Sequence, residues 1–538
     1  MKTLKLFFIL LLILSAASVY AQAPNLQAEN SFGGREADRA FSIQQTKDGG
    51  FIFAGHTASN NADVHGNHGD EDMWVVKLNK DGSIKWQKPL GGFEDETGFS
   101  IQQTTDGGYI VAGESNSFNG DVTGNHGNLD FWVVKLDSSG NLIWQKSLGG
   151  SNADFATSVQ QTKDGGYILA GGSFSNDGDL TLHHGPNIYA DYWIVKIDAV
   201  GTLQWQKTYG GSLGDIAQSV RQTNDGGYII AGNSASNDGD ITGVHDIVYG
   251  DAWIIKLNAQ GNLQWQKTYG GSDYEQANSI QQTTDGGYIA AGWSRSNDGN
   301  VTGNHGNYDV WVTKLGNTGN LQWQKSLGGS NGDLAYSIQQ TKDNGYVVAG
   351  GTSSNDGDAS GNHGKEDFWV VKLNNNGAMQ WQKSLGGSEY EEARSIYQTK
   401  DGGYAIAGWS GFINVNNGDV TGNHGDYDVW IAKLAASGAI ASVNSSVAEN
   451  TINKTAENGL TISPNPASSF IQVDIAFTNA TAMLQVMNSA GQLVMEKSLI
   501  KEKGNYHQQL NISALPAGSY YVIIKSGNTR VSRQFVKE

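Results

Sequence analysis

The chain has 538 residues, with 35 Lys and Arg against 53 Asp and Glu, which gives a formal net charge of −18. A surface this acidic repels phosphate backbones, so nucleic acid is excluded as an expected partner. The absence of cysteine excludes disulfides and thiolate metal sites, and 72 glycines favour many short strands joined by tight turns.

Residues 1–21 have the pattern of a secretory signal peptide. Two lysines precede the apolar run LFFILLLIL, and small residues follow it. This run is shorter than the roughly 20 residues that a membrane-spanning helix needs, which argues against a membrane anchor. We predict cleavage between Ala21 and Gln22, and no later segment is apolar enough to predict a transmembrane span.

Residues 22–438 contain seven copies of one unit. In the second copy, the turns TDGG and DSSGN each separate two strand-like runs, first Ser100–Thr104 and Tyr109–Gly113, then Phe131–Leu136 and Leu142–Leu148. This pattern predicts four antiparallel strands in every copy. The aspartate of the first turn recurs every 58 to 61 residues, as Asp48, Asp106, Asp164, Asp225, Asp285, Asp343 and Asp401.

The third strand of each copy, WVVKL or a variant, is almost continuously apolar, which indicates burial on both faces. Stacked sheets can bury it either in an open array or in a closed ring. The seventh copy lacks its fourth strand, and Leu26–Gly34 before the first copy aligns with the missing one. Only a ring explains this displacement. The sequence therefore predicts an all-β, seven-bladed β-propeller with four-stranded blades, whose last blade is closed by the N-terminal strand.

The loop between the second and third strands is the most polar part of the repeat. It contains a histidine in every copy and an aspartate two residues before the third-strand tryptophan. The favoured interpretation is that these side chains shape the turn through bonds to the backbone. A calcium site built from Asp177, Asp179 and Asp191 is an alternative, although the spacing departs from the EF-hand loop, and a transition metal is a third.

Departures from the repeat are the better indication of function. Trp293 and Trp409 replace the smaller residue that follows Ala-Gly in most copies, and the third, fourth and seventh copies carry atypical loops. The candidate binding face consists of these two tryptophans and the loop histidines His126, His184, His245 and His305. Because each acid or histidine of the repeat recurs in every copy, we predict no catalytic residue and favour a non-enzymatic role.

The last 100 residues lose the repeat. Residues 439–460 form a polar linker, and residues 461–538 alternate as about seven short strands, which predicts a small Ig-like β-sandwich. This segment resembles the C-terminal type A sorting domain of the type IX (Por) secretion system. The resemblance rests on Pro464, Asn465 and Pro466, on Gly491 in SAGQLV, and on Gly518 and Tyr520 in LPAGSYYVII. It implies recognition by the type IX machinery and export across the outer membrane.

These observations predict a secreted or outer-membrane-surface protein that reaches its destination through the periplasm. The expected function is non-catalytic binding of an extracellular glycan or protein. The alternatives are an extracellular polysaccharide hydrolase or lyase, and a structural surface-layer protein. An asymmetric pair of acidic residues near the centre of the ring would favour the enzyme.

Overall fold

The fold was analysed in a computed structural model, which describes residues 22–245, 248–411 and 417–436 of the repeat region. In the tail it describes residues 461–463, 467–475, 481–488, 493–500, 506–516, 518–526 and 529–537. Within these ranges the chain forms strands, turns and bends, and no helix of a length and hydropathy suited to crossing a bilayer. It divides into two compact units, Met1–Ala441 and Ser442–Glu538.

The first unit contains seven four-stranded antiparallel sheets. Strand β1 (Leu26–Phe32) precedes them. Sheet 1 contains β2 (Asp38–Gln45), β3 (Phe51–Thr57), β4 (Asp72–Leu78) and β5 (Ile84–Leu90). Sheet 2 contains β6 (Glu96–Gln103), β7 (Tyr109–Ser115), β8 (Asp130–Leu136) and β9 (Leu142–Leu148). Sheet 3 contains β10 (Asp154–Gln161), β11 (Tyr167–Ser173), β12 (Asp191–Ile197) and β13 (Leu203–Tyr209).

The remaining sheets repeat this order. Sheet 4 contains β14 (Asp215–Gln222), β15 (Tyr228–Ser234), β16 (Asp251–Leu257) and β17 (Leu263–Tyr269). Sheet 5 contains β18 (Glu275–Gln282), β19 (Tyr288–Ser294), β20 (Asp309–Leu315) and β21 (Leu321–Leu327). Sheet 6 contains β22 (Asp333–Gln340), β23 (Tyr346–Thr352), β24 (Asp367–Leu373) and β25 (Met379–Leu385). Sheet 7 contains β26 (Glu391–Gln398), β27 (Tyr404–Ser410), β28 (Asp428–Leu434) and β1.

The first strand of each sheet begins earlier than the sequence pattern predicts. In sheet 2 it starts at Glu96, four residues before the predicted Ser100. A β-bulge between Gly98 and Ser100 interrupts the alternation that marks a strand, so the sequence pattern covers only the part after the bulge. Glu96 is buried and accepts a hydrogen bond from the Ser115 hydroxyl at 2.7 Å, which holds the extended end of the strand.

Strand β1 takes the place of the fourth strand in sheet 7. It pairs antiparallel with β28 from Leu26 opposite Leu434 to Phe32 opposite Val429. Trp430 Nε1 donates to Glu29 Oε2 at 3.0 Å, and Trp74 makes the equivalent bond to Gln87 within sheet 1. The aligned segment before the first repeat therefore supplies both the backbone ladder and the side-chain acceptor of the missing strand.

Seven hydrophobic clusters each lie between two neighbouring sheets, and one of them joins sheet 7 to sheet 1. That cluster contains Ile43 and Phe53 from sheet 1 and Ala407 and Ile431 from sheet 7. The fourth-strand tryptophans also contact the next sheet. Their ring centroids lie 5.7–6.0 Å from a tyrosine there, in the pairs Trp86–Tyr109, Trp144–Tyr167, Trp205–Tyr228, Trp265–Tyr288, Trp323–Tyr346 and Trp381–Tyr404.

Two sets of hydrogen bonds also connect each sheet to the next. A first-strand serine accepts the backbone N–H of the following sheet, and between sheets 7 and 1 this bond runs from Ile43 N to Ser395 Oγ at 3.2 Å. The same bond, 3.2–3.3 Å long, is made by Ser42, Ser100, Ser158, Ser219, Ser279 and Ser337. In the second set, the side-chain oxygen of a glutamine near each hairpin accepts a backbone N–H from the neighbouring sheet. Between sheets 7 and 1 this bond runs from Lys400 N to Gln45 Oε1 at 2.8 Å.

An ion pair between a buried lysine and an exposed aspartate explains the lysine of the WVVKL segment. Lys135 is buried in β8, and its Nζ lies 3.0 Å from Oδ2 of Asp106 in the hairpin turn. The other hairpin aspartates hold the equivalent lysines at 3.0–3.1 Å, in the pairs Asp48–Lys77, Asp164–Lys196, Asp225–Lys256, Asp285–Lys314, Asp343–Lys372 and Asp401–Lys433. The repeated aspartate and the repeated lysine are therefore one structural feature.

The second unit has two antiparallel sheets around one hydrophobic core. One sheet contains β29 (Thr461–Ser463), β30 (Phe470–Ile475) and β33 (Tyr506–Asn511). The other contains β31 (Thr481–Asn488), β32 (Leu493–Ile500), β34 (Gly518–Ser526) and β35 (Thr529–Lys537). Leu484, Val522 and Phe535 are fully buried in the core.

Candidate functional site

A histidine–aspartate pair sits at the start of the third strand of every sheet. In sheet 2, His126 Nδ1 lies 2.7 Å from Asp130 Oδ2, and the His126 backbone N–H donates to the same oxygen at 3.0 Å. The aspartates are buried, so the histidine supplies hydrogen bonds to one oxygen of a carboxylate that water does not reach. The other pairs span 2.6–2.8 Å and are His68–Asp72, His184–Asp191, His245–Asp251, His305–Asp309, His363–Asp367 and His424–Asp428.

Each of these aspartates faces a second buried carboxyl group, which belongs to the first residue of the first strand in the next sheet. Between sheets 2 and 3, a Cβ added to Gly149 would lie 2.7 Å from Asp130 Oδ1 and 2.7 Å from Asp154 Oδ2. Only glycine leaves room at this close approach, which explains the first glycine of the repeated Gly-Gly pair. The other carboxyl pairs are Asp72–Glu96, Asp191–Asp215, Asp251–Glu275, Asp309–Asp333, Asp367–Glu391 and Asp428–Asp38.

Paired carboxyl groups such as Asp215 and Asp38 have raised pKa values, whereas the pKa of a hairpin aspartate such as Asp106 is lowered. Burial, together with the charge of Asp191, raises the pKa of Asp215 to about 7. Burial raises the pKa of Asp38 to about 6 in the same way. At the hairpins burial acts against ionisation, but hydrogen bonds from Thr104 and Gly108 and the contact with Lys135 lower the pKa of Asp106 to about 2.

We expect the melting temperature to be highest near about pH 4.5 and to fall towards about pH 7.5. The stability contributed by carboxyl groups with a raised folded pKa is lost as the pH rises through that pKa. The contribution of the hairpin aspartates is lost instead as the pH falls towards their lowered pKa. Asp215→Asn mimics the neutral form, so it should raise the free energy of unfolding at about pH 7.5 by on the order of 2 kcal/mol and change it little at about pH 4.5.

The control for this pH experiment is Asp70→Asn, because Asp70 is exposed. Both variants should be melted in the same series of buffers. Equal stability changes for Asp215→Asn at the two pH values would contradict the assignment of a neutral buried carboxyl group.

The structure does not bring together the three carboxylates of the hypothesised calcium site. Asp177 Oδ1 accepts the Ser151 backbone N–H at 2.8 Å, and Asp179 Oδ2 accepts that of Gly149 at 3.1 Å, so both lie at the junction of sheets 2 and 3. Asp191 lies at the next junction, beside Gly210. Within the described ranges, no three His, Asp, Glu or Cys side chains cluster as metal ligands. These hydrogen bonds agree with the turn-shaping interpretation, and calcium binding stays a hypothesis.

The candidate binding face separates into two zones at the same end of the sheets. His126, His184, His245 and His305 lie in the loops and are engaged by their aspartates. Trp293 lines a central cavity, and Trp409 packs beside it with its ring centroid 5.7 Å from that of Phe41. The Gly-Phe-Ile-Asn-Val-Asn insertion of the seventh copy lies largely outside the described residues.

The central cavity has a volume of about 380 Å³ and is lined by the first strand of every sheet. The bulge in each first strand leaves one residue out of the ladder, and bulges commonly re-aim a side chain. In sheet 1 this residue is Phe41, between Ala40 and Ser42. All seven bulge residues line the cavity, and they differ almost completely: Phe41, Phe99, Thr157, Gln218, Asn278, Tyr336 and Arg394.

An arginine–aromatic cluster occupies the side of the cavity formed by sheets 6, 7 and 1. The Arg394 guanidinium lies 3.8 Å from the ring centroid of Tyr336, 4.6 Å from that of Trp409 and 5.8 Å from that of Phe41. Arg39 stands over Trp409 as well, at 5.2 Å. These cation–π contacts help to hold the aromatic side chains on this side of the cavity.

Two glutamates, Glu366 and Glu392, lie beside this cluster. Glu366 occupies the position that Glu71 has in sheet 1, whereas Glu392 has no counterpart in the other sheets. Glu392 forms an ion pair with Arg394. Glu366 rests over Gly351, where a Cβ would collide with its Oε1. Burial and the charge of Glu392 raise the pKa of Glu366 to about 8. This asymmetric acidic pair was not predicted, because the residues common to every repeat give no sign of it. Comparing the copies position by position would have revealed it.

The described part of the sorting motif packs within the second unit. Tyr520 is buried, its hydroxyl donates to the Pro516 carbonyl at 2.9 Å, and its ring stacks on Phe535 with centroids 5.6 Å apart. Gly518 begins β34. Pro464, Asn465, Pro466 and Gly491 lie outside the described residues, as does Ala21 of the predicted cleavage site, whereas Gln22 is described and exposed.

Comparison with known families identifies this second unit. Residues 461–538 match Por_Secre_tail, the secretion system C-terminal sorting domain. The resemblance to a sorting domain is therefore confirmed over the whole tail. A sorting domain of this kind directs a protein to type IX secretion, so it implies release from the cell or attachment at the outer-membrane surface.

The other comparisons are distant. A curated relative, Regulatory protein FlaEY of Caulobacter vibrioides, is 26% identical over 164 residues, which are 29% of this chain and only 17% of that protein. The structure of Sqt1 from Chaetomium thermophilum is 10% identical with a TM-score of 0.39, over 77% of this chain and 99% of that one. Puromycin hydrolase is 10% identical with a TM-score of 0.42, over 85% and 62%.

Proposed function

We propose that this protein is a secreted or surface-attached β-propeller that binds an extracellular saccharide in its central cavity. The seven sheets are the blades of a closed seven-bladed propeller. The pairing of β1 with β28 supports closure, as do the bonds from sheet 7 to sheet 1 at Ser395 and Gln45. Residues 1–21 are the signal peptide, 22–438 the propeller, 439–460 the linker and 461–538 the sorting domain, which has an Ig-like fold.

The main support for this proposal is the location of the residues that differ between the repeats. Structural positions such as the histidine–aspartate pairs and the hairpin ion pairs recur in all seven sheets. In contrast, the bulge residues differ between sheets and converge on one cavity. A purely structural array has no reason to vary the residues that converge on one cavity, whereas a binding site for an asymmetric ligand requires such variation.

The chemistry of the cavity favours a saccharide. Phe41, Phe99 and Trp293 offer aromatic faces, while Gln218 offers an amide group. Sugars present both apolar C–H faces and hydroxyl groups, so this combination matches them. The volume of about 380 Å³ lies within the usual range for small-ligand sites.

We expect Trp293→Ala to weaken saccharide binding about 30-fold, because aromatic residues in the centre of a site carry much of the binding energy. Ligands would first be identified on a glycan array with the secreted form, and affinities then measured by calorimetry. Phe118→Ala is the control, since Phe118 is 66% exposed and lies in an outer loop. Two results together would contradict the proposed saccharide site. The glycan array would show no binding, and a pull-down would capture a protein partner whose binding is lost in Phe118→Ala.

A second candidate function is polysaccharide hydrolysis, favoured by the asymmetric pair of Glu366 and Glu392. A carboxyl group with a pKa of about 8 remains protonated at neutral pH, as a general acid must. Glu392 is paired with Arg394, so the two glutamates occupy different electrostatic environments. Release of reducing ends from a polysaccharide that the protein binds, abolished by Glu366→Gln, would establish this function in place of simple binding.

A further inference from the structure

Sheet 4 carries a charged residue where most sheets carry a glutamine. The seventh position of the first strand is Gln44, Gln102, Gln160, Gln281 and Gln339 in five sheets, Arg221 in sheet 4 and Tyr397 in sheet 7. The glutamine Oε1 accepts a backbone N–H from the next sheet, for example from Gln103 to Gln44 at 2.7 Å. An arginine has no acceptor, so Arg221 gives up this bond. Its presence therefore needs a reason other than the fold.

The Arg221 guanidinium points to the floor of the cavity. Its Nη1 donates to Ser158 Oγ at 3.2 Å and to the Val220 carbonyl at 2.7 Å. Ser158 belongs to the ring of first-strand serines, whose Oγ atoms accept backbone N–H groups. Each serine hydroxyl therefore retains a proton that it can donate. The floor combines hydroxyl donors with one guanidinium.

No carboxylate balances this charge within the cavity. Its lining includes Arg221 and Arg394 but neither Asp nor Glu, although the chain as a whole carries a net charge of −18. Arg394 has Glu392 as its partner, whereas Arg221 has no ion-pair partner in the described part of the chain. An unpaired charge inside a protein is unfavourable, so a ligand that supplies the counter-charge would be bound preferentially.

We propose that the cavity selects an acidic sugar, whose oxyanion pairs with Arg221 and whose ring lies against the aromatic side chains above it. The inference rests on the proposed saccharide function and adds the charge of the ligand. An inorganic anion alone would leave most of the cavity and its aromatic lining unused. The oxyanion can be the carboxylate of a uronic acid or the sulfate ester of a sulfated sugar, since both offer oxygens to a guanidinium.

The test compares four probes by calorimetry on the secreted form: galacturonate, galactose 6-sulfate, galactose and inorganic sulfate. We expect at least one acidic sugar to bind about tenfold or more tightly than galactose. Arg221→Gln should abolish this preference, and it restores the glutamine of the repeat, so the fold should be retained or stabilised. Arg295→Gln, which changes an exposed arginine, should leave the preference intact.

The outcomes separate this inference from the function on which it rests. Equal binding of galactose and both acidic sugars, unaffected by Arg221→Gln, would overturn the acidic preference and leave saccharide binding in place. Binding of inorganic sulfate alone would also overturn it. Failure of all four probes, together with a blank glycan array, would count against both proposals. A preference for galacturonate over galactose 6-sulfate, or the reverse, would identify which oxyanion the site takes.

Discussion

A chain lacking Leu26–Gly34 is expected to aggregate and to melt at a much lower temperature than the parent. Without β1, the ladder of β28 has an exposed edge, and such an edge pairs readily with other chains. The variant also loses Phe32 from the cluster that joins sheets 7 and 1. Several ladder bonds at roughly 1 kcal/mol each, together with the lost burial, give an expected destabilisation on the order of 5 kcal/mol.

Size-exclusion chromatography and thermal melting would measure both effects. Glu29→Ala is the matched control, because it removes the side-chain acceptor of Trp430 and of the Thr421 hydroxyl and leaves the backbone ladder in place. It should lower stability by about 1 kcal/mol without aggregation. A truncated chain that elutes and melts like the parent would contradict the ring-closing role of β1.

Deletion of residues 461–538 is expected to abolish export and leave the repeat unit folded in the periplasm. These residues match the sorting domain, and they belong to a compact unit separate from the repeat. The missing strand of sheet 7 comes from Leu26–Phe32, so the repeat unit does not need the tail to complete its sheets. Fractionation followed by immunoblotting would locate the truncated protein, and its melting curve would report on folding.

A reciprocal fusion provides the control for export. Residues 439–538 fused behind a periplasmic reporter should redirect that reporter to the medium or the cell surface. Normal amounts of the truncated protein in the medium would show that export does not depend on the tail. The tail would then be an ordinary binding module.

The sheets themselves were predictable because their signals are local. The hairpin turn, the alternation after Ser100 and the apolar third strand all lie within one repeat, so four strands per copy could be derived directly. The alignment of Leu26–Gly34 with the missing fourth strand was likewise visible in the sequence. The pairing of Leu26 with Leu434 agrees with that alignment.

The composition of the candidate site was less predictable, because each polar loop contacts two junctions. Asp177 and Asp191 belong to one loop, yet Asp177 binds the chain between sheets 2 and 3 and Asp191 pairs with His184 at the next junction. These two aspartates were grouped into one site because they are close in the sequence, but the structure places them at different junctions. Trp293 was the cavity residue predicted from the sequence. The bulge residues were missed for another reason: the bulge that re-aims Phe41 and Arg394 is a feature of strand register, which no residue pattern in a single copy reveals.

The position of β1 also determines the order in which the protein can fold. Leu26 leaves the ribosome before any repeat is made, but its partner Leu434 lies in the last strand of the seventh copy. Sheets 1–6 can each form from contiguous chain, whereas sheet 7 requires a contact across almost the whole unit, and such long-range contacts form slowly. Folding intermediates of this protein will therefore contain early sheets with native structure and an incomplete last sheet, so the joining of the two ends will be the final and slowest step.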